Sequence, residues 1–215
     1  MRVLVACEYS GIVRDCFASL GHDAMSCDLL PTEKPGPHYQ GNVFDVLDDG
    51  WDLLIAHPPC TFLSLAGACR MYPSKGEINY ERLKKAMEAK EFFLRLLNHP
   101  IPKICIENPR PLSVVGLPPE SQVIQPWMFG DPYTKRTHLW LKNLPKLVPT
   151  DFVKADATSD MFSKSIEPVP FLPSGTSRKL GGITLGAAKR GNDSKNRSAT
   201  FPGVALAMAQ QWGTI

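Results

Sequence analysis

Residues 52–60, Asp-Leu-Leu-Ile-Ala-His-Pro-Pro-Cys, form an apolar run that ends abruptly in two prolines and a cysteine. Because proline fixes φ and has no N–H to donate, Pro58 and Pro59 end a buried strand and hold the following loop in one shape. Open α/β sheets keep their sites at that rim. The segment therefore predicts that Cys60 is presented to a ligand. A small buried cysteine in an ordinary loop is the alternative that the segment alone leaves open.

The rest of the chain alternates apolar strand-like segments with helix-like segments. Amphipathic periodicity and glycine stops mark the helices, and short β-branched runs mark the strands. Such alternation predicts βαβ units and an α/β fold, a Rossmann-like, doubly wound, mostly parallel sheet. We predict strands or short extended segments at 2–7, 23–29, 40–46, 52–56, 101–107 and 137–141, and helices at 11–20, 80–97 and 203–212.

Composition favours one main domain of an ordinary globular protein, with 215 residues of which 43% are hydrophobic and 21% charged. No apolar run approaches the roughly 18 residues of a membrane span, and the start of the chain does not resemble a signal peptide. We expect a cytoplasmic monomer that does not bind a membrane. The six cysteines form no matched Cys-x-x-Cys pairs, which favours free thiols and no metal site.

A basic segment lies in the proline- and glycine-rich stretch that begins near residue 142. Its cations have only Asp193 among them, and the net charge of +3 permits an anionic partner without demanding one. This favours a surface for phosphates, although a solvated basic loop has the same composition. The cations are Arg178, Lys179, Lys189, Arg190, Lys195 and Arg197.

Polar residues follow the first three strand-like segments and suggest a cofactor site. A turn that opens onto a helix offers backbone N–H groups, while acids after the next strands suit ribose hydroxyls and an adenine amino group. The spaced glycines of dinucleotide sites are absent, so a small nucleoside cofactor such as S-adenosylmethionine fits better than nicotinamide or flavin. The acids could also do no more than cap loops. The predicted cofactor residues are Glu8, Tyr9, Ser10, Gly11, Ile12, Asp28, Asp45, Val46 and Pro58.

Glu107 and Asn108 end a later strand, and in a parallel sheet they can face the same pocket as Cys60. Attack of a thiolate on carbon 6 of a pyrimidine needs a second group at ring nitrogen 3, and Glu107 held as an acid can supply it. A cation would favour the thiolate, and either Lys135 or Arg136 is available. An ordinary strand-ending turn at 107–109 is the alternative.

The proline-cysteine segment, the Glu-Asn pair and two later segments follow one another along the chain in the same order as motifs of the cytosine-5 DNA methyltransferases, which they resemble. Pro58-Pro59-Cys60, with Ser64 downstream, resembles the nucleophile loop of that family, and Glu107-Asn108 resembles its Glu-Asn pair. Residues 130–136 resemble the motif whose arginines contact the cytosine and the catalytic carboxylate. Residues 197–205 resemble the closing motif that returns to the cofactor pocket. The first loop departs from the family, because Glu8-Tyr9-Ser10-Gly11 replaces the usual Phe-x-Gly-x-Gly.

The resemblance implies a class I S-adenosylmethionine-dependent methyltransferase fold and a covalent mechanism. Cys60 adds to carbon 6 of cytosine, Glu107 supports nitrogen 3 with Asn108 beside it, and carbon 5 takes the methyl group before elimination. A base in a duplex must be flipped out first. Ser64 and the basic segment are then expected to contact DNA.

The resemblance also divides the chain into three parts. Residues 1–141 form the catalytic and cofactor-binding domain, residues 142–196 a reduced target-recognition region, and residues 197–215 a segment that returns to the catalytic domain. The short recognition region implies a short or relaxed target sequence. A small enzyme of this kind would suit a phage, which places it in the cytosol of a bacterial host.

Two other functions stay open at this stage. The same scaffold could act on a free nucleotide, single-stranded DNA or RNA, or use another one-carbon donor, because the recognition region is short. It could also be a catalytically silent module that binds nucleic acid, because the first loop and the closing motif are altered.

Overall fold

The computed structural model describes residues 1–131, 133–151, 169–170, 178–180, 183–185 and 200–215. The strands are β1 (Arg2–Ala6), β2 (Asp23–Asp28), β3 (His38–Gln40), β4 (Leu53–Ala56), β5 (Lys103–Pro109), β6 (Gln122–Ile124), β7 (Tyr133–Thr134), β8 (Thr137–Lys142), β9 (Val169–Pro170), β10 (Arg178–Leu180) and β11 (Ile183–Leu185). The helices are α1 (Ile12–Ser19), α2 (Ala68–Met71), α3 (Tyr80–Leu97) and α4 (Pro202–Trp212).

Seven strands form one sheet in the order β3-β2-β1-β4-β5-β8-β6. Neighbouring strands are parallel except at β8, which runs antiparallel to both β5 and β6. Two small pairs lie outside this sheet, β7 with β9 and β10 with β11. The predicted α/β fold, a Rossmann-like, mostly parallel sheet, is confirmed.

Helices cover both faces of the sheet, which makes the fold doubly wound. On one face Phe93 of α3 packs edge-on against Trp140 of β8, with ring centroids 5.0 Å apart. On the other face Phe17 of α1 and Met208 of α4 are fully buried in a second core cluster. Strand β4 is apolar throughout, since strands buried on both faces have no solvent side to alternate with.

The register of the central strands brings their carboxyl ends to one edge. Ala6 of β1 is aligned with Ala56 of β4, and Ala56 is aligned with Ile106 of β5. The next residues along β4 and β5, His57 and Glu107, therefore lie side by side at that edge. A hydrogen bond from the His57 N–H to the Ala6 carbonyl, 3.0 Å long, continues the ladder past the end of β4.

Most of the predicted elements are present, with differences at particular segments. The strands near 23–29, 52–56 and 137–141 and the helices near 80–97 and 203–212 are confirmed. The predicted segment at 40–46 is wrong in its placement, because β3 already ends at Gln40 and Val43–Asp45 form a single 3-10 turn. Strand β6 and helix α2 were not predicted.

Within the described ranges, no helix is long and apolar enough to cross a membrane, and no group of three His, Cys, Asp or Glu side chains could hold a metal ion. Four of the predicted DNA-contacting cations, Lys189, Arg190, Lys195 and Arg197, lie outside the described residues. Arg178 and Lys179 belong to β10. The proposed division at residues 142–196 stays a prediction.

Candidate active site

A cleft with two adjoining chambers runs along the carboxyl ends of β1, β2 and β4. The larger chamber, about 300 Å³, has apolar walls that include Val43, Phe62 and Phe92, with polar groups at Asp28 and Asn42. Apolar walls with a few polar groups are typical of a small-molecule site.

The smaller chamber, about 180 Å³, is lined mainly by residues that carry polar groups, including Glu8, Tyr9, Ser10, His57 and Thr200, and is called the polar chamber below. The two chambers share three lining residues, so they form one continuous cleft. The shared residues are Cys7, Asp28 and Pro59. Asp28 thus lies between the chambers, where a ribose would join a base to its substituent.

The loop between β1 and α1 was predicted to offer free backbone N–H groups to a cofactor, but its own side chains bind them. The Glu8 carboxylate accepts hydrogen bonds from the backbone N–H groups of Val13 (2.7 Å) and Arg14 (3.2 Å) and from the Ser10 hydroxyl (3.2 Å). The expected open helix N-terminus is therefore wrong, because Glu8 itself caps α1. Gly11 makes this turn at φ 70°, and neither Gly11 nor Ile12 lines the two chambers.

Asp45, the acid predicted to bind the cofactor after the third strand, does not line either chamber. Asp45 is exposed and accepts a hydrogen bond from the Tyr39 hydroxyl at 3.1 Å, while Val46 is buried in the core. Asn42 and Val43 line the larger chamber instead. The Asn42 side chain accepts the Phe44 N–H at 3.1 Å and so starts the turn earlier than predicted. An asparagine directly after Gly41 was the available signal, since Gly-Asn favours a turn and asparagine favours a cap.

Cys60 lies partly exposed in the loop after β4, next to Pro59, which lines the cleft. Its carbonyl accepts the N–H groups of Leu63 and Ser64, so the loop folds back as a tight turn. Burial and the charge of Glu107 raise the pKa of the Cys60 thiol, while Lys135 and a hydrogen bond with Ser64 oppose this rise without cancelling it. The free site therefore holds Cys60 mainly as the thiol.

Ser64 was expected to contact DNA, but it is only 4% exposed, and its backbone forms an isolated antiparallel β-bridge with Pro111. Its hydrogen bond favours the ionised form of Cys60. The structure thus places Ser64 within the loop that carries Cys60 rather than on an open surface.

Glu107 is buried beside His57, a residue that the sequence analysis did not single out. The His57 Nδ1 and Glu107 Oε2 atoms are 3.0 Å apart. Burial alone would raise the pKa of Glu107, but the hydrogen bond from His57 and the charge of Lys135 leave it below its usual value. The expectation that Glu107 is held as an acid is wrong for the free site, where it is a carboxylate.

Asn108 ties the two strand ends together. It is 1% exposed, and its side-chain Nδ2 donates to the Pro58 carbonyl at 2.8 Å. Pro58 is itself buried, and Pro59 lines the cleft in its place. Asn108 therefore sets the position of the loop that carries Cys60 relative to the strand that carries Glu107.

The structure distinguishes the two candidate cations. The charge of Lys135 lowers the pKa of both Cys60 and Glu107, and its Nζ lies 5.6 Å from the centre of the Phe201 ring. Arg136 is exposed, and its charge instead lowers the pKa of His138, on which burial has the larger effect. Lys135 is thus the cation that acts on both reactive groups.

The segment that leads into α4 reaches the cleft. Thr200 lines the smaller chamber. The Gly203 N–H donates to Asp131 at 2.9 Å, and a Cβ atom at Gly203 would lie 1.8 Å from the Phe129 carbonyl oxygen. Only glycine permits this close approach.

No protein-family model and no curated protein matches this chain. A solved structure from E. coli, assigned provisionally as a DNA modification methyltransferase encoded within a prophage, is similar to it at 13% identity and a TM-score of 0.39. The match covers 66% of this chain and 46% of that chain. This chain therefore spans about half the length of that neighbour. At this TM-score the likeness assigns neither an activity nor a substrate.

Proposed function

We propose that this chain transfers a methyl group from S-adenosylmethionine to carbon 5 of cytosine in DNA through a covalent bond between Cys60 and carbon 6. The observation that carries the proposal is the placement of Cys60 and Glu107 in one electrostatic environment beside a two-chambered cleft. Glu107 raises the pKa of Cys60, and Lys135 lowers the pKa of both groups.

The residues of the cleft fit S-adenosylmethionine. The larger chamber has apolar walls for adenine with Asn42 and Val43 at its rim, Asp28 lies where ribose hydroxyls would bind, and the polar chamber suits an amino-acid group. When bound, the cofactor supplies an electrophilic methyl group. Pro59, which lines both chambers, is adjacent to Cys60.

The side chains around the nucleophile have separate tasks. Cys60 must lose its proton, and the charge of Lys135 and the hydrogen bond of Ser64 favour the thiolate. Addition of the thiolate to carbon 6 places negative charge on the ring and makes nitrogen 3 more basic. The Glu107 carboxylate takes up the proton that leaves Cys60 and shares it with nitrogen 3, which stabilises that charge, and its other oxygen can accept a hydrogen bond from the amino group. Asn108 fixes the position of the Cys60 loop relative to the strand that carries Glu107.

DNA is the proposed acceptor because a cytosine ring matches a thiol paired with a carboxylate and because the basic segment suits phosphates. The cations at 178–197 would supply affinity and salt dependence rather than sequence preference. A stacked cytosine must leave the duplex to reach Cys60, at a cost of a few kcal/mol.

The proposal is tested by incubating the protein with S-adenosylmethionine labelled in the methyl group and with matched duplex and single-stranded DNA. We expect label in 5-methyl-2′-deoxycytidine after digestion, no label with Cys60→Ser, and full label with the control Cys69→Ser, since Cys69 is an exposed cysteine of the same chain. Transfer by Cys60→Ser at the wild-type rate would overturn the covalent mechanism. Label in RNA or free nucleotide alone would overturn DNA as the acceptor.

A further inference from the structure

His57 connects the smaller chamber of the cleft to the catalytic carboxylate. Its side chain is 8% exposed, and its Nδ1 lies 3.0 Å from Glu107 Oε2. Its second nitrogen, Nε2, is buried and has no hydrogen-bond partner among the residues that the structure describes. The same side chain lines the polar chamber. One ring thus contacts Glu107 and also borders the space next to it.

A buried nitrogen without a partner is unfavourable, so a ligand that supplies the partner gains binding free energy. The neighbouring acid of the chamber is already satisfied, because Glu8 accepts two backbone N–H groups and the Ser10 hydroxyl. The Nε2 atom of His57 is therefore an unmatched, buried polar atom in a side chain that lines this chamber.

The chemistry of the ring indicates the class of ligand. A carboxylate can only accept, so Nδ1 carries the proton shared with Glu107. If the ring is neutral, Nε2 accepts a hydrogen bond, and an ammonium group is its match. If the ring is protonated, Nε2 donates, and a carboxylate is its match. An α-amino acid carries both groups.

We propose that His57 is a positioning residue that binds the amino-acid end of the methyl donor through Nε2 while it orients Glu107 through Nδ1. The inference rests on the proposed function for the identity of the donor. It predicts that donor binding and the position of the catalytic carboxylate are coupled through a single side chain.

Two substitutions separate the two nitrogens. The amide nitrogen of His57→Asn replaces Nδ1 and leaves nothing at the place of Nε2, whereas the amide of His57→Gln reaches the place of Nε2 and leaves nothing at Nδ1. Binding is measured by calorimetry with S-adenosylhomocysteine and with 5′-methylthioadenosine, which lacks the amino-acid end. Transfer is measured at saturating S-adenosylmethionine, and thermal unfolding confirms that each variant is folded.

We expect His57→Asn to bind S-adenosylhomocysteine about 3- to 10-fold more weakly, the effect of one lost hydrogen bond, with unchanged 5′-methylthioadenosine affinity and near wild-type kcat. We expect His57→Gln to bind both ligands normally and to lose at least about tenfold in kcat. A merely structural residue would change both properties in both variants. That result would overturn the inference, as would normal S-adenosylhomocysteine binding by His57→Asn. Wild-type protein that binds the ligand but transfers no methyl group would contradict the proposed function instead, and the calorimetry would still test Nε2.

Discussion

Cys60 lies between two charges of opposite sign, and these charges act on its reactivity in opposite directions. Glu107 raises the pKa of the thiol, and Lys135 lowers it. Removing the negative charge should therefore release more thiolate, and removing the positive charge should release less. The rate of alkylation reports the thiolate fraction directly.

We predict that Glu107→Gln alkylates at Cys60 several-fold faster than wild type at pH 8, and that Lys135→Gln alkylates several-fold more slowly. In the wild type the rate should still be rising at pH 9, since the pKa lies above its ordinary value of 9.0. Iodoacetamide labelling read by peptide mass spectrometry gives both rates, with the exposed Cys69 as the internal control. A shift of both variants in the same direction would contradict the electrostatic account.

The sequence singled out Cys60 because it follows a recognisable strand end, and Glu107 and Asn108 because they end a later predicted strand. It could not show that the Glu8 side chain turns back onto the amides of α1, because a carboxylate in such a loop can face either the helix or the cleft. The sequence analysis did not name His57 as a site residue, because a single histidine after a strand belongs to no recognisable pattern. Its meaning depends on Glu107, 50 positions away.

At the scale of elements, the start of α4 depends on contact with the loop before β7. The Gly203 Cα lies against the Phe129 backbone, and its N–H donates to Asp131. This contact brings Thr200 to the polar chamber.

We predict that Gly203→Ala lowers the free energy of unfolding by about 1–3 kcal/mol, because the added methyl group overlaps the Phe129 carbonyl and must push the helix away. Donor affinity should fall as well, because Thr200 moves with the helix. Urea unfolding and calorimetry measure the two effects. The control is Leu206→Ala, which alters a partly exposed residue of the same helix. Equal stability of Gly203→Ala and wild type would contradict the predicted contact.

The loop between β2 and β3 is held by one fully buried arginine. Arg14 donates to the hydroxyls of Ser26 and Thr32 and to the carbonyls of Lys34 and Pro35, at 3.2–3.3 Å. Leu29 and Leu30 of this loop line the two chambers. The arginine therefore supports one wall of the cleft.

We predict that Arg14→Ala costs at least about 2 kcal/mol of stability, because it empties the space of a fully buried side chain and removes the donors of the hydrogen bonds that hold the loop. Amide hydrogen exchange over residues 29–37 should accelerate more than exchange in α3. The exposed Arg70→Ala should change stability by less than about 0.5 kcal/mol. Unchanged exchange in the loop would show that other contacts hold it.

Elements in which apolar residues recur with a clear period were predictable from the sequence, and the short elements were not. Helix α3 has a long amphipathic pattern and a capping asparagine, Asn79. Strand β6 has three residues and no pattern of its own, so its pairing with β8 is decided by tertiary contacts. The prediction that Asp45 faces the cofactor was wrong for a similar reason, because a local contact decides the structure. The side chain of Asn42 caps a turn there and ends the extended segment early.

At the scale of the whole molecule, the alternation of strands and helices was enough to predict a doubly wound sheet, because parallel strands need helical crossovers. The same alternation placed the polar strand ends at one edge and so brought Cys60 and Glu107 together. The position of the antiparallel strand β8 did not follow from the sequence, since no local pattern encodes strand direction.

The central claim is a covalent bond between Cys60 and carbon 6 of cytosine, and the most direct measurement is trapping with DNA that carries 5-fluorocytosine. The fluorine replaces the hydrogen that must leave carbon 5, so the adduct cannot be resolved after methyl transfer. With S-adenosylmethionine present, the account predicts a protein of increased mass, with the oligonucleotide attached to the peptide that contains Cys60, and no adduct with Cys60→Ser. Protein that binds S-adenosylhomocysteine but forms no adduct with any duplex or single-stranded 5-fluorocytosine DNA, or that is trapped at another residue, would contradict it.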